Sequence, residues 1–120
     1  MKIVAITLCL LSVIAVAASA HTSWYDGYVG RSQARFELTF EDGSRRVYGT
    51  YRTLRRTYRL DGVNERSGQL TLNEYTDGVY TSISRLRKSN KGKRITWSGT
   101  MYNIDGRKVP IRFTRTDYSE

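Results

Sequence analysis

The chain has 120 residues, 20 of them Lys or Arg against 11 Asp or Glu, giving a formal net charge of +9. With 39% hydrophobic residues, nine tyrosines, two tryptophans and one proline, this composition excludes a disordered tail and suits one folded β domain. One cysteine and one histidine exclude both a disulfide framework and a cysteine–histidine zinc set.

Residues 1 to 20 read as an export leader. Lys2 supplies the positive start, Ile3 to Val16 is almost wholly apolar, and Ala18-Ser19-Ala20 is a small-x-small cleavage site. The apolar run is too short to span a bilayer, and polar sequence follows it directly. Cys9 follows Leu8 inside that run, so it is not a lipoprotein cysteine and is lost on cleavage. The expected mature chain, His21 to Glu120, is a single cysteine-free domain, periplasmic or extracellular. It keeps 19 basic residues once Lys2 is removed, 15 of them arginine.

Period-two alternation then predicts a succession of short strands. Strand one covers Trp24 to Val29, and Gly30-Arg31-Ser32 turns the chain. Strand two, Ala34 to Phe40, places Ala34, Phe36, Leu38 and Phe40 on one face. Asp42-Gly43 reads as a tight turn that sets Leu38 opposite Val47 and Phe36 opposite Gly49. Strand three, Arg46 to Tyr51, turns Val47, Gly49 and Tyr51 inward. Strand four, Tyr58 to Val63, does the same with Tyr58 and Leu60. Leu70 to Arg85 is the clearest hairpin. Asp77-Gly78 suits a two-residue turn, which faces Tyr75 with Tyr80, Glu74 with Thr81, Leu72 with Ile83 and Leu70 with Arg85. Strands seven and eight run Arg94 to Tyr102 and Val109 to Thr114. A three-residue loop, Ile104-Asp105-Gly106, pairs Met101 with Val109, Gly99 with Ile111 and Trp97 with Phe113, and so gathers their apolar side chains on one face. Pro110 then points outward and cannot donate to a ladder, which suggests an edge or an imperfect seam.

Strands joined hairpin to hairpin form a meander, and this one is expected to close into a small eight-stranded up-and-down barrel; a two-sheet sandwich is the alternative. In strand count and connectivity the layout resembles the lipocalin–avidin group of barrels. The lipocalin Gly-x-Trp signature is absent, since Trp24 follows Ser23, and no avidin ligand motif is visible. The resemblance is architectural and implies no ligand.

Two basic clusters stand out: Arg52, Arg55, Arg56 and Arg59, and then Arg85, Arg87, Lys88, Lys91, Lys93 and Arg94. In a meander successive turns alternate between ends, so the loops after strands three and six lie at opposite ends and the positive field is split. Arginine favours bidentate contact with phosphate or carboxylate, which points to an anionic envelope component; export makes nucleic acid the less natural partner. The bland alternative is a solvated, solubilising rim. Tyr75 and Tyr80 on the outer face could stack on a ligand, but a cross-strand tyrosine pair is also an ordinary sheet stabiliser.

Glu74 falls on the inward face, where a carboxylate must be paired, hydrogen-bonded or protonated. Arg85 is one expected partner; a hydroxyl of Tyr51 or Tyr58 is the other. The functional alternative makes Glu74 the polar anchor of a ligand cavity lined by Thr81, Arg85, Tyr51, Tyr58 and Trp97. No metal site or cofactor is expected: cleavage would make His21 the amino terminus, but a copper brace needs a second histidine. The mature chain has no cysteine nucleophile and no second histidine to serve a serine, and Glu74 is the only acid expected to face inward, so no enzyme is expected. Three readings remain: a binding protein for a small amphiphile or anionic ligand; a protein-binding module, such as a hydrolase inhibitor or envelope assembly factor, for an acidic exported partner; and, against the expectation, an enzyme whose site the sequence does not display.

Overall fold

Alternating apolar and polar side chains build eight antiparallel strands: β1 (Ala20–Val29), β2 (Ser32–Glu41), β3 (Arg46–Arg52), β4 (Thr57–Asn64), β5 (Gln69–Thr76), β6 (Val79–Lys91), β7 (Arg94–Asn103) and β8 (Lys108–Arg115). The computed structural model describes residues 19–92 and 94–116. The expected leader therefore lies outside the described residues except for Ser19 and Ala20, as does Lys93. Each strand pairs with the next, and β1 pairs with β8, so the sheet is a closed barrel in meander order and not a two-sheet sandwich. The β1–β2, β3–β4, β5–β6 and β7–β8 turns mark one end of the barrel, called the upper end. The β2–β3, β4–β5 and β6–β7 turns mark the lower end.

The final hairpin has the expected register, with Trp97 opposite Phe113, Gly99 opposite Ile111 and Met101 opposite Val109. Gly106 at φ 92° takes the left-handed position of the loop. The seam that Pro110 pointed to is closed but short. It runs from Tyr25↔Arg115 to Val29↔Ile111, and Pro110 lies just past its end, where its carbonyl accepts from Gly30 N at 2.7 Å. A residue without an N–H is tolerated there because the ladder has already stopped.

Two registers differ from expectation. Asp42-Gly43 is not a two-residue turn: Phe40 faces Val47, Leu38 faces Gly49 and Phe36 faces Tyr51. The positive φ falls at Arg45 (63°), whose N–H closes onto Glu41 O at 3.1 Å. A slip of two residues preserves side-chain parity, so the inward set is unchanged. In β5–β6 the Asp77-Gly78 turn and the Tyr75↔Tyr80 pair hold, but a bulge at Thr81 then sets Glu74 opposite Ser82, Leu72 opposite Ser84 and Leu70 opposite Leu86. Ser82, Ser84 and Leu86 therefore point inward, and Ile83 and Arg85 outward.

Four strand glycines make the tight coiling possible. Gly27, Gly49, Gly62 and Gly99 occupy inward positions where an added Cβ would meet the carbonyl oxygens of Arg112, Glu37, Thr71 and Arg85 at 1.9, 1.9, 1.8 and 1.9 Å. Glycine at such points lets one strand bend down onto its neighbour's backbone, as a small barrel requires. Aromatic rings fill the axis. Tyr58 stacks on Tyr51 (4.5 Å between centroids), Tyr51 on Phe36 (5.0 Å) and Phe36 on Phe113 (4.2 Å), and Phe113 meets Tyr25 edge-on (5.1 Å). Leu38, Leu60, Leu70, Leu72, Leu86 and Ile111 pack around this column. The interior is a packed core, and open space is found at its two mouths.

Candidate functional site

Glu74 is 4% exposed. Tyr51 Oη donates a hydrogen bond to its Oε1, and Thr81 Oγ1 donates to its Oε2 at 2.7 Å. The tyrosine partner is the one realised, and the bulge carries Arg85 to the outer surface, where it cannot reach Glu74. The Ser82 hydroxyl beside this cluster is buried without a hydrogen-bond partner among the described residues. Glu74 thus ties β3, β5 and the bulge of β6 together. Burial, and then the hydrogen bond to Glu74, push the Tyr51 phenol well above the ordinary tyrosine range, so it remains a donor. The folded state keeps this proton, while the unfolded phenol releases it near its ordinary value of about 10. Tyr51's contribution is complete below about pH 10 and declines above it, at about 1.4 kcal/mol per pH unit. Tyr51→Phe should remove this alkaline loss and cost about 1–3 kcal/mol at neutral pH, because one carboxyl oxygen is left unsatisfied. Urea unfolding of both proteins between neutral pH and pH 11 measures the two effects (the upper limit being about one pH unit past the ordinary tyrosine value).

The lower mouth holds a cleft of about 300 Å³. Tyr25 and Trp97, each 3% exposed, form its floor with Ser23. One wall is His21 stacked on Phe40 with ring centroids 5.7 Å apart. Arg45, Lys88 and Arg115 bring positive charge to its lining, against Glu41 and Asp42. Glu41 accepts from Ser44 Oγ at 2.6 Å, and Asp42 lies 3.8 Å from His21 Nδ1, so both acids stay at the rim of the cleft. Arg45 is fixed by its left-handed backbone and by donation from Nε to Asn64 O at 2.7 Å. Lys88 Nζ lies over the Trp97 ring, 5.8 Å from its centroid. A second opening, lined by Arg66, Arg87 and the β4–β5 turn, shares Arg45, Asn64, Lys88 and Trp97 with the first.

The candidates named from sequence do not form one cavity. Trp97 lines the lower mouth; Tyr51 and Tyr58 line the upper, together with Tyr28, Arg31, Leu54 and Arg55. Thr81 sits in the bulge, Glu74 in the core and Arg85 outside. The basic candidates divide between the ends as expected, with Arg52, Arg55 and Arg56 at the upper end and Arg87, Lys88, Lys91 and Arg94 at the lower. The second group is on strand and not on a loop. β6 runs on to Lys91, past its last pair with β5 at Gln69↔Arg87, and Lys91 faces Arg94 across the turn.

Arg45, Arg115 and Asn64 were missed as site residues. Arg115 was readable, because it continues the inward parity of Ile111 and Phe113. Arg45 was not, since its position depends on the longer β2–β3 turn. Among the described residues no cluster of His, Cys, Asp and Glu could hold a metal ion. No protein family matches the chain, and no curated protein shows significant sequence similarity to it.

Proposed function

We propose that this chain is an exported, non-enzymatic binding protein whose lower mouth takes a small anionic ligand with a flat apolar part. The observation that carries the reading is the lining of Arg45, Lys88 and Arg115 above a floor of Tyr25 and Trp97. Cations over aromatic surface recognise a phosphate, sulfonate or carboxylate joined to a ring or short chain. The filled core argues against an amphiphile threaded into the barrel, so the ligand rests at the opening. The leader-like composition of residues 1 to 20 supports export. An acidic protein partner has less support: the β6–β7 extension presents Lys91 and Arg94 but no exposed ring.

The test uses anilinonaphthalene sulfonate, an aromatic sulfonate, titrated into the purified Trp24→Phe protein, in which Trp97 is the only tryptophan. Saturable quenching of Trp97 is expected. Arg45→Gln with Lys88→Gln should weaken binding about tenfold or more, as loss of charge-assisted contacts implies. Lys91→Ala should leave it unchanged. Absence of saturation, or equal binding by all variants, would exclude the lower mouth as the site.

A further inference from the structure

Of the eight large hydrophobic side chains exposed among the described residues, six stand at or beside upper turns; the other two, Trp24 and Val63, lie toward the lower end on β1 and β4. Leu54, Val79 and Ile104 stand at the β3–β4, β5–β6 and β7–β8 turns, and Tyr28, Tyr80 and Tyr102 stand next to upper turns. Leu54 is fully exposed, Ile104 64% and Val79 61%. Turns favour polar residues and glycine, and none of these three side chains is needed to make its turn. Thr53 N closes on Arg56 O at 3.0 Å, so the backbone around Leu54 is already fixed. Asp77 and Gly78 supply the positive φ angles of the turn before Val79. Ile104 is held by its own N–H on Thr81 O at 3.1 Å.

The same end carries Arg31, Arg52, Arg55 and Arg56, which form no ion pair among the described residues. Apolar tips on fixed turns, with guanidinium groups beside Leu54 and tyrosines next to the Val79 and Ile104 turns, match the layers of an anionic bilayer surface; the acids at these two tips are Asp77 and Asp105, and Asp105 is paired with Arg107 at 2.9 Å. The tips enter the acyl boundary, arginine meets phosphate, and the tyrosine rings lie at headgroup depth. A protein surface would need a complementary shape, whereas separated tips of this kind need only a soft apolar layer. We propose that the upper end docks on anionic phospholipid membrane through Leu54, Val79 and Ile104, with Arg52, Arg55 and Arg56 on the lipid phosphates. The lower mouth then faces away from the membrane.

Sedimentation with vesicles of phosphatidylcholine, alone or mixed with phosphatidylglycerol, tests this with the purified protein. Binding is expected to the mixed vesicles and much less to the neutral ones. Leu54→Ser with Ile104→Ser should reduce the partition coefficient about tenfold or more, and Arg55→Gln with Arg56→Gln by a similar factor. These positions are exposed, so circular dichroism should confirm an unchanged fold. Lys91→Gln with Arg94→Gln, at the lower end, should change partition less than about twofold, as distance from the surface implies. No preference for the anionic vesicles would overturn the proposal. So would full binding by the Leu54→Ser, Ile104→Ser protein, which would show charge attraction without insertion. A dimer in solution that the same variant dissolves would assign the tips to self-association instead.

Discussion

Replacing Gly62 by alanine is expected to destabilise the barrel by about 3 kcal/mol or more, enough to leave a large unfolded fraction at room temperature. The new methyl would lie 1.8 Å from Thr71 O and 2.9 Å from Leu72 Cα, both main-chain atoms of the adjoining strand. Backbone in a paired strand cannot rotate aside as a side chain can, so the β4–β5 ladder must separate. Gly68 is the control. It sits in the β4–β5 turn at φ 94° with nothing near its missing Cβ, and its replacement should cost only about 1 kcal/mol of backbone strain. Urea midpoints of the two variants decide the matter. Equal losses would mean that the strand can bend without the close approach.

Glu74→Lys is expected to cost about 3–5 kcal/mol, the range for a buried charge left without its counterpart. The site was built around an acceptor: Tyr51 and Thr81 both donate into it, and the neighbouring inward groups are Leu60 and Ser82. An ammonium placed there meets two donors and no acid. Glu74→Gln keeps the shape and one carbonyl acceptor for Tyr51, and its amide can donate to Thr81, so about 1 kcal/mol is expected. Arg85→Ala, on the outer surface, should be close to neutral. Chemical denaturation of the three variants gives the ranking. If Lys and Gln are tolerated alike, water reaches the carboxylate and Glu74 is not a core residue.

The barrel was legible because its two signals, alternation and turn chemistry, agree along most of the chain. Tight turns at Asp77-Gly78 and around Gly106 gave pairings that the structure keeps close to the turn. The loss in β5–β6 follows from one limit: a turn fixes register only as far as the first irregularity. Thr81 is such a point. Ile83 and Leu86 have opposite parity, so one of them must face out, and a strand stopped at Arg85 never meets that choice. Once β6 is carried on to Lys91, Leu86 takes the core and Arg85 leaves it. The lower mouth was harder still. Its floor residue Trp97 was readable from the last hairpin, but Arg45 reaches the cleft through a turn whose length alternation does not encode. Of the four close-packed glycines only Gly49 and Gly99 were assigned a facing residue, and the close approach itself was not legible, because a contact between backbones has no hydropathy.

The short seam between β1 and β8 also has a bearing on how the chain folds. Seven ladders join neighbours in sequence, whereas this one joins Thr116 to Trp24, which are 92 residues apart. Hairpins of the first kind form on the microsecond scale, but ring closure must wait for both ends to meet, at an entropic cost that grows only slowly with the length enclosed. Until then the curled sheet has two open edges, each able to pair with another molecule. Five residue pairs and the Thr116 N–H on the Trp24 carbonyl end that exposure. The contact that joins the two ends of the barrel is thus also the one that keeps separate copies of the protein from joining edge to edge.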